Sequence, residues 1–180
     1  MKFHIQLAAL NVSQRLNKIL SRYILVIVLV ILDQISKIYV KNVFDYGIPY
    51  NFIGSYIRIT YVENPGLAFG IPVGSFYLVI TLITLVITIV ILVNLYYEKI
   101  RALMFSLSFI LGGAIGNIID RILVLLEFNY NGVVDFIDIG YLDFRWYIFN
   151  FADIYITIGI LVYILYSYLD NKLEIDKREN

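Results

Sequence analysis

Residues 112–121 read GGAIGNIIDR, and they close an apolar run that begins near Leu103. On a helix Asn117, Asp120 and Arg121 fall at i, i+3 and i+4 and share one face. Gly112 and Gly116 form a G-x-x-x-G, the spacing by which membrane helices approach one another closely. A helix with an amide, a carboxylate and a guanidinium on one side must turn that side toward protein rather than lipid. The stretch therefore predicts a bundle of membrane helices with a polar interior at one level.

Composition agrees. The chain has 180 residues, 61% of them hydrophobic and 16% charged, and its mean hydropathy is +0.81, outside the profile of a soluble globular domain. Four apolar stretches, at about 23–40, 76–96, 103–126 and 148–169, each approach the ~20 residues that a bilayer requires. The expected fold is an all-α membrane protein, a four-transmembrane-helix bundle forming a single domain over residues 1–180. The second span holds no charge, Gly or Pro from Phe76 to Val93 and reads as a lipid-facing packing helix. The first is read as a span and not as a cleavable leader, because it runs straight into LDQISK without a small-x-small cleavage site.

Basic residues orient the bundle. Lys2, Arg15, Lys18 and Arg22 precede the first span, Lys99 and Arg101 separate the second and third, and Lys172, Lys177 and Arg178 follow the fourth. Both termini and the middle loop are thus expected in the cytoplasm, and the two long connections outside. In the first of these, Tyr56 to Val62 is β-favouring and runs into Asn-Pro-Gly turn chemistry, which predicts a small extracytoplasmic β-sheet between helices 1 and 2.

At ~1.5 Å per residue, a third helix entering near Leu103 reaches Asn117 after about 21 Å and Asp120 after about 26 Å. Asn150 and Asp153, at i and i+3, lie in the first turns of the fourth span, and Asp33 and Lys37, at i and i+4, in the outer half of the first. Polar groups from three helices converge at one depth, where each charge costs about 2.5–3.5 kcal/mol on insertion scales. Asp33 with Lys37 reads equally as an ion pair, and Asp120 with Arg121 as mutual neutralisation near the interface. Asp153 has no basic neighbour one turn along its own helix. Asp135 and Asp138 of VVDFIDIG read equally as solvated loop acids.

The absent residues limit the chemistry. There is no cysteine, and the single histidine, His4, lies in the polar N-terminal stretch, so thiolate catalysis, a Ser–His relay and a Cys or His metal site lack components. A net charge of zero gives no case for nucleic acid. Ser36 and Lys37 are adjacent and point in different directions on a helix. Two readings remain level: paired aspartates sharing a proton and activating water, or a buried-carboxylate pathway for protons or cations.

DQISK (33–37), NPGLAFG (64–70), GGAIGNIIDR (112–121), VVDFID (133–138) and FNFAD (149–153) resemble, in order, the motifs of the prolipoprotein signal peptidases, also called signal peptidase II. The resemblance covers about Tyr23 to Leu169. It implies an aspartic endopeptidase with Asp135 and Asp153 as the catalytic dyad. Asn64, Gly66, Asn117, Arg121 and Asn150 would surround the dyad, Asp33 and Lys37 would support it, and Asp120 would be structural. It also implies no metal or other cofactor, and substrates that are prolipoproteins with a diacylglyceryl group on the lipobox cysteine, cut just before that cysteine. The partners expected are these precursors and membrane lipid, for a monomer in the bacterial cytoplasmic (inner) membrane with its site near the outer face. The segment ILVLLEFNYNG between Arg121 and Asp135 is longer than the family pattern.

Overall fold

The computed structural model describes residues 2–66, 76–142 and 144–179; the side chains of 2–19, 21–22, 174 and 176–179, that of His4 among them, and the whole of Asp143 lie outside the described residues. Among the described residues there are four long helices and a four-stranded sheet: α1 (Lys2–Val43), β1 (Pro49–Ile53), β2 (Ile57–Asn64), α2 (Tyr77–Tyr97), α3 (Arg101–Leu125), β3 (Val133–Tyr141), β4 (Phe144–Arg145) and α4 (Phe151–Glu179). All four helices hold a membrane-length apolar stretch, at Tyr23–Val43, Tyr77–Tyr97, Arg101–Leu125 and Phe151–Leu173. These match the four predicted spans to within a few residues.

α3 lies at the centre and touches the other three helices. Its glycines permit this. A Cβ at Gly112 would stand 2.9 Å from Leu29 Cβ of α1, and one at Gly113 would collide with the Ala152 carbonyl of α4. Ser106 Oγ donates to the Gly159 carbonyl at 2.7 Å, so α4 is held by a hydrogen bond as well as by contact. α2 lies to one side, and its Thr81, Thr84 and Thr88 hydroxyls donate to carbonyls one turn back, at 2.8, 2.9 and 2.7 Å. Lipid can offer these hydroxyls no partner, so the helix backbone supplies it.

The sheet sits at the end of the bundle where α1 and α3 finish and α4 begins. Its strands run antiparallel in the order β1-β2-β3-β4. Only half of it comes from the connection between the first two membrane helices. The other half follows α3, because VVDFIDIGY, rich in β-branched and aromatic residues, pairs along β2 from Ile57↔Ile139 to Asn64↔Val133. Val134 and Phe136 pack with Val40 of α1 and Tyr61 of β2 in a core beneath the sheet, while Val26, Leu95 and Leu111 form a second, wholly helical core.

α3 stops without a glycine. Glu127 takes φ 58°, Glu127 N–H donates to Val124 O at 3.1 Å and Phe128 N–H to Leu123 O at 3.0 Å. This pair of bonds is the Schellman arrangement, with Glu in the left-handed position that Gly usually fills. α4 starts on a reciprocal cap: Asp153 N–H donates to Asn150 Oδ1 at 3.1 Å, and Asn150 N–H donates to Asp153 Oδ2 at 3.2 Å. The stretch NFAD thus forms a capping box in which Asn and Asp replace the usual Ser/Thr and Glu.

Candidate active site

The cap sets Asp153 in the first turn of α4, half-buried, with both carboxylate oxygens occupied. Oδ2 accepts from Asn150 N–H, and Oδ1 accepts from Asn117 Nδ2 of α3 at 2.9 Å. Asp135 reaches the same place from β3. Its Oδ1 accepts from Asn150 Nδ2 at 2.6 Å and its Oδ2 from Asn64 Nδ2 of β2 at 3.1 Å. Asn150, fully buried, therefore holds one aspartate by its side chain and the other by its backbone.

Behind these two lies a second pair of carboxylates sharing one cation. Lys37 Nζ is 2.8 Å from Asp33 Oδ2 and 3.0 Å from Asp120 Oδ2, with all three side chains no more than 1% exposed, and it donates to Asn117 Oδ1 at 3.0 Å. Each of these acids also takes a backbone N–H. Asp33 Oδ1 accepts from Ala152, the residue before Asp153, at 2.9 Å; Asp120 Oδ2 accepts from Val134, the residue before Asp135, at 3.1 Å. Gln34 Nε2 lies 3.1 Å from Gly116 O and 3.2 Å from Asp120 Oδ1. Charges this deep are tolerated only when paired and fully hydrogen-bonded, and here the pairing fixes the backbone on which both front aspartates stand.

Burial, and after it the negative charge of Asp153, pushes the Asp135 carboxyl up to about 7, against the pull of the Asn64 and Asn150 amides and the Lys37 charge. Desolvation and a like charge both favour the protonated form, so Asp135 is the member of the pair suited to carry a proton at neutral pH.

All nine residues named from sequence are joined here by direct bonds, with Arg121 at the margin. Its Nη2 donates to the Gly66 carbonyl at 3.3 Å, and among the described residues its buried Nε has no partner. Gly66 N–H in turn donates to Asn64 Oδ1 at 2.9 Å. Asp120 and Arg121 are therefore not a mutually neutralising pair, since Asp120 belongs to Lys37. Asp138 is no solvated loop acid either. It is buried on β3, 2.7 Å from Arg145 Nη2, and accepts from Thr60 Oγ1 at 2.9 Å. Gln34 went unnamed because a single amide inside DQISK carries no spacing signal of its own.

Four membrane-length helices, a four-stranded cap and a pair of bonded carboxyls at their junction define a polytopic membrane enzyme. The fold is similar to two solved structures described as bacterial membrane enzymes. One has a TM-score of 0.74 at 29% identity over 84% of this chain and 89% of that one; the other has 0.65 at 32% identity over 81% and 90%. The chain belongs to the signal peptidase II family: the family model, described as signal peptidase (SPase) II, matches residues 25–169. The lipoprotein signal peptidase of Halothermothrix orenii is 39% identical over 84% of this chain and 97% of its own length, and that of Borrelia hermsii 37% over 84% and 91%. Membership makes the chain a peptidase.

Proposed function

We propose that this chain is an aspartic endopeptidase that removes the signal peptide from prolipoproteins already carrying diacylglyceryl on the lipobox cysteine, cutting just before that cysteine. The observation that carries the reading is Asn150 bonded to Asp135 through its amide and to Asp153 through its backbone N–H, which brings the two carboxyls within reach of one water. Asp153, ionised, takes a proton from that water as its oxygen attacks the scissile carbonyl carbon. Asp135, protonated, donates to the carbonyl oxygen, and a tetrahedral diol forms. When the C–N bond breaks, the leaving amine takes the proton now on Asp153, a diol hydroxyl gives its proton to Asp135 as the carbonyl of the new carboxyl group re-forms, and the pair again shares one. Arg121 Nε–H, unpartnered among the described residues, is free to donate to a substrate carbonyl. The names of the relatives support the substrate class.

The basic flanks support a reading with both termini in the cytoplasm and the sheet end outside. A site there, opening sideways to lipid, lets the acyl chains of a precursor stay in the bilayer. The test is incubation of the purified protein with a diacylglyceryl-modified precursor and its unmodified twin. Release of the signal peptide from the modified form alone is expected, with kcat/KM falling as pH rises past about 7 and the pair loses its proton. No release, together with proton flux in liposomes, would replace the peptidase reading by the ion pathway.

A further inference from the structure

A second polar cluster lies on the far side of Asn64 from the dyad. Glu63 of β2 is 7% exposed, and its carboxylate takes four donors: Lys41 Nζ from the end of α1, Tyr61 Oη at 2.6 Å, and Asn131 N–H and Nδ2 at 2.7 and 2.9 Å. Lys41 Nζ also donates to the Asn129 carbonyl at 2.8 Å and sits 4.0 Å from the Tyr130 ring centroid. Burial pushes the Glu63 carboxyl up, but the bonds from Lys41, Tyr61 and Asn131 outweigh it and hold the group below its ordinary value. So the Glu63–Lys41 pair fastens three consecutive residues of the connection that leads from α3 into β3, Asn131 through Glu63 and Asn129 with Tyr130 through Lys41.

What this connection does follows from its next residue. Gly132 lies so close to the Asn64 carbonyl that a Cβ there would collide with it, and Asn64 is the residue whose amide reaches Asp135 Oδ2. β2 and β3 are paired at this point, Glu63↔Val134 and Asn64↔Val133. The path from the cluster to the dyad is therefore one residue long on β2, from Glu63 to Asn64, and four residues long on the other side, from Asn131 to Asp135.

We propose that Glu63 and Lys41 form a positioning clamp, which seats the connection 127–132 against β2 and thereby holds Asn64 at the angle that bonds it to Asp135. The proposal rests on Asp135 being catalytic, as argued above. It gives the long segment after Arg121 a task. α3 ends at Leu125, four residues before Asn129, and the chain leaves it through a left-handed Glu127, so nothing in the helix itself would fix where β3 starts.

The charged groups about Asp135 are Asp153 from α4 and Lys37 from α1, with Asp120 of α3 bonded to the adjacent Val134 N–H; Glu63 is the charge on β2 nearest in register. The Asn64 amide stabilises the ionised carboxylate. A loosened Asn64 thus lets Asp135 climb above about 7, and the alkaline limb of kcat/KM moves to higher pH. Small misplacements of a reacting group cost on the order of 10²-fold, so Glu63→Ala is expected to lower kcat about 10- to 100-fold with KM little changed. Asn131→Ala, which keeps the backbone N–H bond, should do the same more weakly, and Lys41→Arg should restore most of what Lys41→Ala loses.

The experiment compares kcat, KM and the pH profile of these variants with those of Leu95→Ala, a cavity in the other core, in detergent on the diacylglyceryl-modified precursor. Leu95→Ala should lower the melting temperature while the folded fraction keeps the wild-type pH limb. If Glu63→Ala and Asn131→Ala also melt early yet keep kcat and the limb, the clamp is only structural and the proposal is overturned. Should Glu63→Ala fail to fold, Asn131→Ala decides alone. Asp135→Asn is assayed beside them: were it active, the peptidase reading of Asp135 would fail first, whereas an inactive Asp135→Asn beside an unaltered Asn131→Ala would remove the clamp alone.

Discussion

The two aspartates of the site are held in opposite ways. Asp153 is placed mostly by its neighbours in sequence: Asn150 three residues before it closes the capping box on the first turn of α4, and Asn117 of α3 adds one distant bond to Oδ1. Asp135 is placed by residues far along the chain. Asn64 lies 71 positions away and Asn150 15, and strand β3 is hung between β2 and the Phe149 carbonyl, which receives Phe136 and Ile137 N–H at 3.0 and 2.7 Å. Most of what places the helix-borne group forms with its own helix. A strand-borne one needs the whole end of the bundle assembled, so Asp135 is the aspartate that perturbations elsewhere should disturb.

Neutralising either carboxyl should give the largest effect. Asp135→Asn and Asp153→Asn are each expected to lower cleavage by about 10²- to 10⁴-fold in folded protein, and the double variant to be scarcely worse, since in the proposed mechanism either change removes the sharing of one proton. They should differ in stability. A carboxyl raised to about 7 in the fold contributes fully below the unfolded value of about 3.9 and loses that contribution as pH climbs to about 7. Wild-type melting temperature in detergent should therefore fall across that window, and Asp135→Asn should flatten the fall. An equally steep fall in Asp135→Asn would mean that burial does not raise this carboxyl.

The same contrast decides what could be read in the sequence. The spans were legible because twenty apolar residues have few alternatives, and Asp153 because its motif and its first-turn position are local. The sheet was legible only in its first half. Tyr56 to Val62 carries its own turn signal, whereas Val133 to Tyr141 looks like a loop with acids until β2 lies beside it. The end of α3 was legible from the end of its apolar run, at about 126 against Leu125, although Glu127 stands where a glycine would have announced it. Lys41, Glu63 and Asn131 meet only after folding, so no spacing in the chain betrays them.

Behind the dyad the two arms converge on Lys37, and removing it should cost the fold more than removing either acid. Asp33, Asp120 and Lys37 carry one net negative charge between them. Asp33→Asn or Asp120→Asn leaves a neutral pair, with a loss of about 1–3 kcal/mol for an impaired buried hydrogen bond. Lys37→Met leaves two unpaired buried carboxylates, a loss of about 3–5 kcal/mol. Yields of folded protein and unfolding in denaturant should rank in that order. The arms separate in a second measurement: Asp120→Asn loosens Val134 and should shift the alkaline limb of the pH profile, while Asp33→Asn loosens Ala152 and leaves Asp135 alone. Equal shifts from both would show that the arms are not independent.

The smallest effect is expected three residues from the dyad on the same strand. Asp138 is, like Asp135, a buried acid of β3. An odd separation puts the two on opposite faces of the strand. Asp138 turns to Arg145, with Nε at 2.8 Å and Nη2 at 2.7 Å, and Arg145 Nη1 goes on to the Ser55 carbonyl at 2.7 Å, so its bonds join β3 to β4 and to the β1–β2 hairpin. The Arg145 side chain is 22% exposed, which weakens the pair toward the surface value. Asp138→Asn keeps the shape and an acceptor, and it should cost about 1–2 kcal/mol, or roughly 2–8 °C in melting temperature for a chain of this size. Turnover per folded molecule should stay within about threefold of wild type, because 1.4 kcal/mol of misplacement would already be tenfold. Loss of cleavage in Asp138→Asn beside normal turnover in Asp135→Asn would exchange their roles, and the bonds of Asn64 and Asn150 to Asp135 would then be scaffolding for the strand.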